Sequence, residues 1–207
     1  YFNGANVFRP DNGCAGPDLV QVNREVVLIT LNSEWWIHPF EVPRAPENGC
    51  LVTDKTDFVV RLEAIVRANA DKHILIVAHH PVISNGNHGG HYNLLDHIFP
   101  LRLVRDNLYI PLPIIGSIYP FSRKLGVSPQ DIPNTEFQRY KESLLSIIEN
   151  RPNVIYATGH DHNLQLNQYK EMHHIVSGSA SKTNFAARGF GADYVQQQIG
   201  FARVKYY

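Results

Sequence analysis

The chain has no excess of charge of either sign: 19 Lys and Arg balance 19 Asp and Glu over 207 residues. It therefore lacks the broad basic field that draws a protein to nucleic acid or to an anionic membrane, and no dedicated nucleic-acid surface is expected. Any handling of phosphate must come from a local site. Long apolar runs are missing as well. No stretch reaches the roughly 18 residues that suggest a membrane span, and no leader peptide opens the chain. It begins at Tyr1 rather than Met, so a segment upstream is expected. Cysteine is scarce. Cys14 in NGCAG and Cys50 in NGCLV form no CxxC pair, which argues against cysteine metal ligation and leaves open one disulfide or two separate thiols.

What is present in excess is histidine. There are 11, and five of them lie between His79 and His97. A hydrophobic fraction of 43% is ordinary for a globular protein, which argues against disorder and for one domain with its own core.

Residues 1 to 18, rich in Asn, Gly, Pro and Asp, read as a loop. The segment Leu19 to Ser33 reads as two strands turning at Asn23 and Arg24. WWIHPFEVPRAPENGC holds three prolines and is expected to be an aromatic-anchored loop. From Thr53 the spacing of Phe58, Leu62, Ile65 and Val66 predicts a helix whose first turn carries Asp54 and Asp57. ILIV at 74 to 77 predicts a buried strand ending in AHHP. Residues 84 to 133 show little periodicity and read as a long functional insertion. Phe137, Tyr140, Leu144, Ile147 and Ile148 predict a second helix, and VIYA at 154 to 157 a second buried strand, ending in TGHDH. IVSG near 175 and the terminal IGFARVKYY are further strand candidates.

Both histidine clusters thus fall at the C-terminal ends of buried strands, where open α/β sheets place their ligands. In an extended segment residues i and i+2 point the same way, so His160 and His162 face one cavity and Asp161 faces away from it. His79 and His80 are neighbours, so at most one of them should join the site. Three imidazoles suit zinc, iron or manganese but bring no negative charge. No DxD or DxxD follows an apolar strand, and Asp11, Asp18, Asp96 and Asp193 read as loop residues. The residues leave two possibilities open: a single zinc, or carboxylates supplied from elsewhere.

AHHPVISNGNHGG, YATGHDHNLQ and HHIVSGSASK together resemble the calcineurin-like metallophosphoesterases, in particular their purple-acid-phosphatase-like branch. The resemblance covers most of residues 19 to 207. It implies an α/β fold, a four-layer sandwich of two β-sheets flanked by helices, of which residues 1–207 are the C-terminal part with an insertion at about 84–133. It also implies a dinuclear centre of divalent or trivalent ions, Fe, Zn or Mn. His79 and His160 would bind one ion and His162 the other. His88 would touch the substrate phosphate and protonate the leaving group, with His91 lining the cleft. His80 and Asn163 would stand behind the ligands and shape the site. The family's Asp-x-His, GDxxD and GNH[DE] motifs have no counterpart between Tyr1 and Tyr207, so the bridging Asp and the Asn ligand are expected upstream.

The activity so implied is hydrolysis of a small or macromolecular phosphate monoester or diester, by in-line attack of a metal-bound hydroxide. One rival is a non-catalytic module of the same scaffold, binding a partner or polysaccharide through exposed Trp35, Trp36 and Tyr-rich loops. A mononuclear zinc hydrolase is the other. The loop cysteines and the kinship to secreted phosphatases point to an extracytoplasmic protein.

Overall fold

The computed structural model describes residues 8–105, 107–189 and 191–206. Its first strands, β1 (Asp18–Gln21) and β2 (Val26–Thr30), pair antiparallel. Between them the Asn23 side chain accepts hydrogen bonds from the backbone N–H groups of Glu25 and Val26, a short polar side chain standing in for a backbone turn. The expected aromatic loop begins instead as a helix, α1 (Ser33–Ile37), capped by the Asn32 side chain, which accepts from the Trp35 N–H. The three prolines all follow Ile37 and so do not oppose it. Trp35 and Trp36 are buried, not exposed. Trp36 packs between Phe58 and Tyr140, so a binding surface built on this pair loses its basis. Cys14 and Cys50 form a disulfide with their Cα atoms 5.4 Å apart.

Asp54 caps α2 (Lys55–Ala68), accepting from Thr56 and Asp57, and Phe58, Leu62 and Val66 turn its apolar stripe inward. β3 (His73–Val77) follows. The insertion holds two short helices, α3 (Leu94–Ile98) and α4 (Ile118–Lys124). Next come α5 (Thr135–Ile148), β4 (Val154–Thr158), β5 (Leu164–Tyr169), β6 (Met172–Ser177) and β7 (Ala192–Gln196). The terminal IGFARVKYY is not a strand; β5 and β7 supply the antiparallel edge instead. Asp18, Asp96 and Asp193 lie on β1, α3 and β7 rather than in loops, Asp96 completing a capping box with Asn93.

Among the described residues the strands form one seven-stranded sheet, ordered β1-β2-β3-β4-β6-β5-β7, with β2, β3, β4 and β6 parallel. The chain is therefore an α/β protein. The crossovers advance in one direction, from β2 to β3 to β4, and α2 and α5 pack against each other on the same face. There Val27, Ile29, Ile74, Ile76, Val154 and Tyr156 meet the helices in the core. On the opposite face Leu28, Leu75, Ile155 and Ile175 are only half-buried, and Val77 and Leu166 are exposed. The tail is tied to this side by a hydrogen bond from the Ala202 N–H to Ser177 Oγ and by the Tyr206 ring against His73. No described helix is long and apolar enough to cross a membrane.

Candidate metal centre

Pairing between β3 and β4 continues beyond the strands: Ala78 N–H donates to Ala157 O, and Gly159 N–H to His79 O. This ladder brings the two histidine-bearing ends side by side. His160 then takes a left-handed backbone conformation, φ 63°, uncommon for a residue with a side chain and the kind of cost that collects at functional sites. Its Nδ1 comes to 3.0 Å from His79 Nε2, while its Nε2 lies 3.2 Å from the Gln130 carbonyl. A carbonyl only accepts. The hydrogen of His160 therefore sits on Nε2, and Nδ1 turns its lone pair toward His79.

The ring nitrogens of His79, His80 and His160 lie within 4.8 Å of one another. His80 is nevertheless committed elsewhere. Its Nδ1 is 2.9 Å from Ser33 Oγ, and its Nε2 2.9 Å from Gln130 Oε1. Burial pushes its pKa down to about 4, so it is neutral, and these two hydrogen bonds hold it as a strut. Burial also lowers His79, against the opposing pull of the Glu34 carboxylate. His160 is pushed down to about 2, by burial first and then by His88, His80 and His79. Burial thus disfavours the charged form of both rings.

Two nitrogens on one tetrahedral zinc, each about 2.0–2.1 Å from it, stand roughly 3.3 Å apart. The 3.0 Å between His79 Nε2 and His160 Nδ1 fits that spacing, so the pair suits one borderline cation. No carboxylate joins this group among the described residues. The nearby negative charges are Glu34, 3.5 Å from His80, and Asp131, 3.1 Å from His88.

His88 lies against His160, with ring centroids 3.7 Å apart and ring planes tilted by 45°. Its Nδ1 lies 3.1 Å from both the Gln130 carbonyl and Asp131 Oδ1 and 2.8 Å from Nη2 of Arg123, so two acceptors and a donor converge on that one nitrogen. Asp131 is fully buried and clasped by Nε and Nη2 of Arg123. The loop that carries His88 is held in turn by Asp161, which is fully buried and accepts from Ser84 Oγ and from the His88 N–H. Asn163 is buried too, accepting from Gln165 Nε2 and donating to the Phe185 carbonyl.

His162 is not in the close group. Its Nδ1 is buried with no hydrogen-bond partner, and its pKa is lowered by burial and then by the charge of Lys182. His91 lies apart, half-buried beside a cavity of about 330 Å³ that it shares with Tyr92 and His97.

Reading the sequence missed Ser33, Glu34, Arg123, Gln130 and Asp131. Gln130 is the hub: its carbonyl meets ring nitrogens of His88 and His160, and its side chain joins His80 to Glu34. No motif or periodicity marks it; its only signal is a polar residue just ahead of a helix.

No known family's sequence pattern matches the chain, and no curated protein matches it. Among solved structures it is similar to GAP50, the anchor in the inner membrane complex of Plasmodium, at 14% identity and a TM-score of 0.46. The match covers 89% of this chain and 43% of that protein, a likeness too distant to bear on function.

Proposed function

We propose that this chain is part of a metal-dependent phosphoesterase that hydrolyses phosphate monoesters or diesters. The observation that carries the reading is the meeting, in one site, of two imidazoles whose facing nitrogens stand 3.0 Å apart, His79 and His160, with a carboxylate-held histidine, His88, whose ring centroid is 3.7 Å from that of His160. His79 and His160 would hold one ion. His162, whose buried Nδ1 is unpartnered, would contribute to a second, the pair being drawn from Fe, Zn and Mn. When bound, such ions supply Lewis acidity to the phosphate oxygens and lower the pKa of a water.

His88 handles the leaving group. Asp131, the Gln130 carbonyl and Arg123 Nη2 all converge on its Nδ1, so Nε2 is the atom left to carry a proton to the departing oxygen. Asp131 braces the His88 ring, and Arg123 holds that carboxylate in place. Gln130 and Ser33 orient His80 behind the ligands, the outer contacts on which metal affinity depends.

The half-buried apolar face of the sheet supports the wider architecture. A mostly parallel sheet is ordinarily covered on both faces, and a second β-layer packed on Leu75, Ile155 and Ile175 would complete a four-layer sandwich and bring the missing carboxylates. The Cys14–Cys50 disulfide supports an extracytoplasmic setting.

The test is metal content together with hydrolysis of 4-nitrophenyl phosphate by full-length protein. His160→Ala and His162→Ala should lose bound metal and turnover together. His88→Ala should keep its metal and lose on the order of 10²–10⁴-fold in turnover. Undiminished turnover in His162→Ala would refute the assignment, and bound metal without hydrolysis would favour a binding module.

A further inference from the structure

A cavity of about 360 Å³ opens beside His88, between the insertion and the loop after β6. Arg102 and Arg123 line it from the insertion, Lys182 and Asn184 from the loop, and Asn87 and Asn93 from the segment around His88. The wall is polar, with three cations. Arg123 is neutralised by Asp131. Arg102 is only loosely paired, its Nη1 standing 3.7 Å from Asp96. Lys182 has no ion-pair partner among the described residues. Asp96 is the cavity's own carboxylate, so one positive charge remains before His88 is counted.

The hydrogen bonds are short in the same sense. Arg102 lies over the Tyr109 ring, its guanidinium carbon 5.0 Å from the centroid, but its Nε and Nη1 have no hydrogen-bond partner. A guanidinium only donates, and unmet charged donors are costly, so this wall lacks an acceptor, the role an anion fills. A cavity of this size takes a small phosphorylated organic unit.

We infer that this cavity binds a second anionic group on the substrate, so that the preferred substrate is a phosphoester whose alcohol carries a further phosphate or carboxylate. This rests on the phosphoesterase reading. With the scissile phosphate at His79 and His160, the leaving group lies on the His88 side, and what extends past His88 enters the cavity.

Two measurements separate the inference from the reading beneath it. In EDTA-treated protein, calorimetry should detect binding of glycerol 1,3-bisphosphate. Arg102→Gln and Lys182→Ala should weaken it at least tenfold, and His160→Ala should not. Lys182 is exposed, so its variant keeps the test valid if Arg102→Gln fails to fold. No binding, or binding lost only in His160→Ala, overturns the cavity assignment. In metal-loaded protein the KM for the bisphosphate should be at least tenfold below that for glycerol 1-phosphate, with 3-phosphoglycerate distinguishing a carboxylate from a phosphate as the second group. Equal KM values for all three overturn the substrate class. Binding to EDTA-treated protein without hydrolysis of any ester sinks the phosphoesterase reading and leaves the anion site standing.

Discussion

Asp161 and Asn163 on the turn after β4, and Gln165 at the start of β5, are each buried and each hydrogen-bonded to another part of the chain. In the insertion the pattern is inverted: Val104 is 85% exposed, Ile114 88% and Phe121 61%. The turn is over-determined, because each buried polar group would cost about 1–3 kcal/mol if its partner moved. The insertion buries little of its apolar surface and has little to lose by shifting. A site that must hold two imidazole nitrogens within ångströms is thus built on the first kind of segment, and its flank on the second.

The largest expected effect tests how rigid the turn is. A Cβ added at Gly178 would lie 2.1 Å from the backbone oxygen of Asp161, an obstacle that no side-chain rotation removes. Gly178→Ala should cost about 3 kcal/mol in urea unfolding and reduce metal binding with it. Unchanged stability would show that the turn yields.

A smaller effect comes from beneath the turn, where His174 is stacked on Tyr156 and contacts Thr158, the last residue of β4. Burial, and then the charge of Lys141, pushes the pKa of His174 down to about 3. An unfolded histidine titrates near 6.5, so between those values the unfolded chain binds the extra proton. The stability tied to His174 is therefore complete above about pH 6.5 and is lost as the pH falls toward 3, roughly 2 kcal/mol by pH 5. His174→Phe keeps the stack and removes the titration. Its unfolding free energy should fall less between pH 7.5 and 5 than that of the unsubstituted protein, and equal losses would contradict this account.

The smallest effect belongs to the insertion. Ile114→Ser and Phe121→Ser should each change stability by no more than about 0.5 kcal/mol. A loss above about 1.5 kcal/mol would break the contrast, because it would mean that something covers these side chains.

Much of the framework was legible from residue spacing. The stripe of Phe58, Leu62 and Val66 and the runs at 74–77 and 154–157 are local signals, and the helices and strands formed where they lie. α1 was obscured because the prolines just after it outweighed the Asn32 cap. The polar NLQLNQY hid β5, since Gln165 and Asn167 are both buried rather than turned toward water, Gln165 within a hydrogen-bonded network. Asp131 and Gln130 carry no motif, and only the fold brings them more than 40 residues back along the chain to His88.

By itself, then, the sequence determined that His79 and His160 would stand at the ends of buried strands, because apolar runs and their bounds are local properties, and the pairing of those strands came from the fold. Which nitrogens face one another, which histidine is a strut and which carboxylate holds His88 were decided only by tertiary structure. The φ of 63° at His160 and the carbonyl of Gln130 choose a tautomer, and a tautomer depends on what lies across the site, not on what lies next in the chain.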